Sequence, residues 1–137
     1  MFEVVLPNNI TTIPEDAFFQ CSSLMIIKLP EVCTVIGECA FLSCSSLSEI
    51  ILPQGLKRIE RAAFLSCSSL TSLEIPNSVN YIATDALQDL PLDTLVLPES
   101  YVADMIGRVG TTVSTIVWNS VSYPADYAYD GEKGLAD

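Results

Sequence analysis

Five cysteines and no histidine bound the chemistry open to this chain. Cys21, Cys44 and Cys67 each open a Cys-Ser-Ser-Leu segment, and they recur at an interval of 23 residues. Thiolates can hold zinc, but without histidine or a Cys-x-x-Cys pair there is no ligand set of the usual kind. An odd number of cysteines, three of them locked to a repeat, suits small buried side chains better than a disulfide framework. Stacked strands would set successive cysteines about 4.8 Å apart, within reach of a bridge, yet parallel Cβ directions fit its torsion poorly. Cys21, Cys44 and Cys67 are therefore expected to be reduced, buried and slow to react. Cys39, in the polar pair before Ala40, is expected to label faster. Lacking imidazole, the chain has no histidine triad and no histidine acid or base. Glu15-Asp16 and the same-phase Asp85 are acidic enough for proton transfer, but they fall at turns, where a solvated charged face is the simpler account. The six glycines are scattered and form no phosphate loop. No catalytic residue, cofactor or metal site is predicted.

The elements that must position these residues follow the same beat. Leu-Pro or Ile-Pro stands at Leu6-Pro7, Leu29-Pro30, Leu52-Pro53, Ile75-Pro76 and, one residue early, Leu97-Pro98. Ala-Phe stands at Ala17-Phe18, Ala40-Phe41 and Ala63-Phe64, weakening to Ala86-Leu87. A fixed period of this length marks a solenoid of stacked coils, none of which can bury its apolar face alone. Before each proline an apolar-any-apolar triplet, such as Ile27-Lys28-Leu29 or Leu73-Glu74-Ile75, reads as a short strand with its outer two residues inward. Proline ends that strand where the chain turns. Apolar residues three and six places later (Ile10 and Ile13, Cys33 and Ile36, Leu56 and Ile59, Val79 and Ile82) predict a second short extended segment. Pro14-Glu15-Asp16-Ala17-Phe18 then suits a single helical or 3-10 turn, and Cys-Ser-Ser-Leu leads to the next strand with Cys and Leu inward and serines bonding turn backbone.

This pattern resembles the BspA-like leucine-rich repeats, whose coil runs approximately apolar-x-Leu-Pro, apolar-x-x-Ile, Ala-Phe-x-x-Cys-x-x-Leu. The resemblance covers residues 2 to about 97. It implies a right-handed leucine-rich-repeat solenoid of short parallel strands, used as a non-catalytic recognition surface, frequently on cell-surface or secreted proteins. The glycine usual after the isoleucine survives only at Gly37; Pro14, Glu60 and Ala83 take the equivalent places. Repeats are assigned at about 1–24, 25–47, 48–70 and 71–92, with a cap at 93–118. In that cap, Ser100 starts a helix carrying Val102, Met105, Ile106 and Val109 on one face, and Thr115–Trp118 forms a final strand. From Asn119 to Asp137 the aperiodic Tyr, Ala, Asp and Gly composition reads as an acidic disordered tail, with Tyr123, Tyr127 and Tyr129 open to a short-motif role.

Seventeen acidic against six basic residues give a net charge of −11, which disfavours nucleic acid and anionic membrane surfaces as partners. No apolar run approaches the roughly 18 residues of a spanning helix, and residues 1–7 show no basic region followed by an apolar run. A cytoplasmic location is expected if Met1 is the native start, and a secreted or surface location if the chain is a fragment; the sequon Asn9-Ile10-Thr11 bears only on the second. Protein partners are expected on the outward strand positions. Val5, Lys28, Ile51, Glu74 and Val96 form one ladder, and Glu3, Ile26, Glu49, Ser72 and Thr94 the next. Among them Val5, Ile26, Lys28, Glu49, Ile51, Glu74 and Val96 are assigned to partner binding, since exposed apolar clusters mark contact sites. The alternative is that β-branched residues simply suit a pleat. At the N-terminal coil the strand edge beside Leu6, Ile10 and Phe18 could add another chain, so edge-to-edge self-association competes with membership of a longer repeat array.

Overall fold

A computed structural model describes residues 2–83, 85–96, 115–118 and 121–124. In chain order its strands are β1 (Phe2–Val5), β2 (Thr12–Ile13), β3 (Leu24–Lys28), β4 (Val35–Ile36), β5 (Glu49–Ile51), β6 (Arg58–Ile59), β7 (Ser72–Glu74), β8 (Tyr81–Ile82), β9 (Thr94–Val96), β10 (Thr115–Trp118) and β11 (Val121–Pro124). Odd-numbered strands from β1 to β9 build the first wall of a solenoid, and β2-β4-β6-β8 build the second as one parallel sheet. Both segments expected from the repeat are present in the first four coils, the strand before the proline at β1, β3, β5 and β7 and the second at β2, β4, β6 and β8. In the first wall, β1-β3-β5 form one ladder and β7-β9-β10-β11 another.

A third wall carries the Ala-Phe steps, and here the structure corrects the expected single helical or 3-10 turn. No described residue is helical. The wall consists of successive i-to-i+3 turns, interrupted by left-handed residues at Asp16 (φ 60°), Gln20 (56°), Cys39 (59°), Ser43 (59°), Ala62 (55°), Ser66 (62°) and Asp89 (61°). The reason lies in where the amides point. In the first coil, Ala17, Phe19 and Cys21 donate three residues back, whereas Asp16, Phe18 and Gln20 donate to Glu38, Ala40 and Leu42 of the next coil at 2.8–3.0 Å. A helix would turn every N–H along its own axis and leave the coils unlinked on this wall.

The interior holds the predicted inward set. Ile27, Leu29, Cys33, Ile36, Phe41, Cys44, Leu47, Leu56, Ile59, Phe64, Cys67, Leu70 and Ile82 are all 0 % exposed. Phe18, Phe41 and Phe64 stack as a column, with centroids 5.3 and 5.4 Å apart and planes within 5°. The first coil is looser: Val4, Leu6, Ile10, Phe18 and Cys21 are only partly buried, since no described coil lies over them. The expected burial of Cys21 is corrected accordingly.

Thr115–Trp118 forms a strand as expected, parallel to β9 through Thr94↔Thr115, Leu95↔Ile116 and Val96↔Val117. The expected capping helix on Ser100, Val102, Met105, Ile106 and Val109 lies outside the described residues. Val121–Pro124, within the stretch read as an aperiodic tail, pairs antiparallel with β10 from Trp118↔Val121 to Thr115↔Pro124. A repeat-based reading passes over this strand because it belongs to no repeat, although Val121 and Tyr123 have good strand propensity.

Candidate interaction face

Parallel in-register stacking turns each repeat position into a column across the first wall. Glu3, Ile26 and Glu49 align in β1, β3 and β5, as do Val5, Lys28 and Ile51. Ser72 aligns with Thr94, and Glu74 with Val96. Their neighbours Ile27, Leu73 and Leu95 point inward, so these residues face out. Val5 is 84 % and Ile51 46 % exposed, while Ile26 and Val96 are half-buried and Lys28, Glu49 and Glu74 are exposed. All seven assigned residues thus lie on one wall, in two blocks that the ladder does not join.

That division is the feature the sequence does not announce. β5 and β7 are neighbours in the stack, but among the described residues no ladder pairs them. Over this seam lies a concavity of about 400 Å3, lined among others by Glu49, Ile51, Gln54, Glu74, Pro76 and Val96. Ser48, Ser72 and Thr94 add hydroxyl groups to its rim. Val5, Ile26 and Lys28 stand outside it. Gln54 and Pro76 were not assigned from sequence; their place just beyond the strands, at and after the repeat prolines, is the signal that could have found them.

The other walls use their polar groups to hold coils together. Thr34 donates through its N–H and hydroxyl to the Thr11 carbonyl at 2.8 and 3.3 Å. Ser69 donates to the Ser45 carbonyl at 2.6 Å, so the repeat serines bond between coils as well as shaping turns. Asp85 takes the Ala62 N–H at 2.9 Å and Arg61 at 3.4 Å. Arg58 pairs with Glu60 at 2.8 Å, and its guanidinium carbon sits 4.1 Å from the Tyr81 ring centroid.

The repeat cysteines have a comparable internal task. The Cys44 thiol donates to the Phe18 carbonyl and the Cys67 thiol to the Phe41 carbonyl, both at 3.0 Å. A cysteine therefore fills a small core volume while its S–H ties its coil to the preceding one. Burial pushes the Cys44 thiol up to about 11 and the Cys67 thiol up to about 12, with Cys44 adding to the second. Burial also raises Cys33. Cys39 is half-buried and likewise raised, by burial first and then by Asp16, Glu38 and Glu15 around it. All five cysteines are free.

Burial ranks the thiols by reactivity. Native-state labelling is expected to modify Cys21 and Cys39 well before Cys33, Cys44 and Cys67; equal rates for all five would contradict that ranking. The raised thiols also couple stability to pH. A thiol held above its unfolded value contributes stability fully below that value, near 9, and loses it as pH climbs toward the folded value. Denaturation midpoints are thus expected to fall between about pH 9 and 11. The fall should be smaller in a Cys44→Ala, Cys67→Ala double variant, and an identical slope in both proteins would remove the thiols as its cause.

Comparisons with known proteins agree with this geometry. A family model described as BspA type leucine-rich repeat region matches residues 1–104 in six copies. Among solved structures, a leucine-rich cell surface protein from Faecalibacterium prausnitzii is 25 % identical with a TM-score of 0.76, over 97 % of this chain and 36 % of its own. A leucine-rich repeat protein from Bacteroides ovatus is 26 % identical with a TM-score of 0.70, over 87 % and 33 % of the two chains. The pneumococcal vaccine antigen PcpA is 30 % identical with a TM-score of 0.69, over 71 % and 24 %. The chain thus spans between a quarter and just over a third of the length of these relatives. No curated protein matches it. Among the described residues no helix is long and apolar enough to cross a membrane.

Proposed function

Because the chain belongs to the BspA-type leucine-rich repeat family, we propose that it is a non-catalytic protein-interaction module that binds a polypeptide on the outward face of its first wall. The observation that carries this reading is the concavity over β5, β7 and β9, where the exposed Ile51 and half-buried Val96 stand among carboxylates and hydroxyl groups. Val5, Ile26 and Lys28 extend the face toward the N-terminal coil. A mixed apolar and polar face of this kind suits a protein partner better than a small molecule, because it is open and spans several coils. The proposed organisation keeps the solenoid with its cap at 1–118 and an acidic tail at 119–137, of which Val121–Pro124 pairs with β10.

The test is capture from native lysate by wild-type protein and by a Val5→Lys, Ile51→Lys variant, with Val32→Lys as control. Val32 is 48 % exposed but lies off this wall. Proteins retained by wild type and by the control are expected to be lost from the double variant. Identical capture by all three would sink the assignment. A second reading, display on a cell surface as an adhesion or structural repeat, is favoured by the description of the Faecalibacterium prausnitzii relative as a cell surface protein. Edge-to-edge association at the N-terminal coil is a separate proposal. It is opposed at one point by Pro14, which has no N–H where Gly37, Glu60 and Ala83 each donate to the preceding coil.

A further inference from the structure

If the first wall is the interaction face, the chemistry of its concavity narrows the class of partner. Glu49 and Glu74 are exposed on neighbouring strands, and among the described residues no ion pair involves either. The two ion pairs among those residues, Arg58–Glu60 and Arg61–Asp85, use both described arginines on other walls. No Lys or Arg stands on β5, β7 or β9. Glu74 lies in the phase of Ile51, two residues beyond the phase of Glu49, so strand rise offsets the two carboxylate-bearing positions by roughly 6.6 Å along the seam. Alternate side chains of an extended peptide are spaced about 6.6–6.8 Å along its length, which matches that offset.

We infer that this concavity receives an extended polypeptide segment bearing Arg or Lys at alternate positions. One cation meets Glu49 and the next Glu74, and an arginine can bind each carboxylate through two parallel hydrogen bonds. The long stems of the same side chains cover Ile51 and Val96, so apolar surface is buried without apolar residues in the ligand. The peptide backbone runs along the β5–β7 seam, where no ladder joins the two strands among the described residues. An acidic segment is repelled by the same carboxylates and by the net charge of −11.

The probes are three fluorescent eight-residue peptides in which Thr alternates with Arg, with Gln or with Glu. The Arg peptide is expected to bind, with affinity falling as salt is raised, and to shift the amide resonances of Glu49–Leu52 and Ser72–Glu74. Replacing Glu49→Gln together with Glu74→Gln is expected to weaken it by roughly two- to thirtyfold, the range for two exposed ion pairs. Replacing Glu15→Gln together with Glu38→Gln, exposed acids on the turn wall, is expected to leave it unchanged. The inference is overturned if the Gln peptide binds as well as the Arg peptide, or if the turn-wall pair matters as much as the seam pair. Should the Arg peptide ignore the seam while Val5→Lys, Ile51→Lys still abolishes capture from lysate, the basic-segment inference alone fails. If neither the peptide nor the captured proteins respond to changes on this wall, the interaction face itself is wrong.

Discussion

Phe41→Ala is expected to cost about 3–5 kcal/mol of stability, the range for truncating a fully buried aromatic. The ring is 0 % exposed and lies between those of Phe18 and Phe64 at 5.3 and 5.4 Å, so its removal strips contacts from two neighbouring coils at once. The Phe41 coil is tied to both of its neighbours by backbone bonds on every wall, for instance Phe41 N–H to the Ala63 carbonyl at 2.8 Å, so they cannot slide together to close the gap. A cavity that fails to collapse carries the higher cost. Leu47→Ala, also at 0 % exposure, is expected to cost about 2–5 kcal/mol. Thr12→Ala, on the outward side of β2, should stay within about 0.5 kcal/mol of wild type. Urea denaturation of the three variants is the measurement, and Phe41→Ala within about 0.5 kcal/mol of wild type would falsify the stacked-ring packing.

Gly37→Ala is expected to destabilise by about 1–3 kcal/mol through overpacking against backbone. A Cβ at this position would stand 2.6 Å from the Ile13 carbonyl oxygen and 2.8 Å from both the Pro14 carbonyl carbon and the Glu15 nitrogen. All three are backbone atoms of the preceding coil, and the Gly37 N–H itself donates to that Ile13 oxygen at 2.8 Å. Relief therefore requires separating two coils rather than rotating a side chain. Gly37 is the residue stacked on Pro14, whereas the equivalent Glu60 and Ala83 follow coils without proline there and carry side chains. Gly55→Ala provides the contrast, because its added methyl group would meet only the Glu31 carbonyl at 3.6 Å, an ordinary contact. It is expected to be neutral or to stabilise by up to about 1 kcal/mol by reducing unfolded-chain entropy. Thermal midpoints measured side by side decide the matter, and equal values for the two variants would rule out the steric cause.

These two residues also show where a sequence reading stops. Phe41 is legible because its neighbours in space are its own copies one period away; the inward column follows once stacking is recognised. Gly37 presents itself in sequence only as a family glycine that its sister coils lack. Its purpose depends on Pro14, which becomes a neighbour through the stack, and on a distance that no spacing encodes. The same distinction divides the outward residues. Glu3, Ile26 and Glu49, or Val5, Lys28 and Ile51, align as columns from the period alone, and the register bears this out within each ladder.

The period alone is enough for the coil length, the two strands per coil and the inward Ile, Leu, Phe and Cys positions. A period enforces these because an apolar residue at a given phase can be buried only against its counterpart in the adjacent coil. The tertiary structure alone decided what varies between coils or depends on backbone direction. It chose chained turns with left-handed residues over a helical turn, because alternate amides must bond the next coil. It paired Val121–Pro124 with β10, outside any repeat. It also left β5 and β7 without a ladder, placing Glu49, Ile51, Glu74 and Val96 around one concavity. Hydrogen-bond partners between coils are set by the three-dimensional fit of each adjacent pair, which side-chain periodicity does not specify.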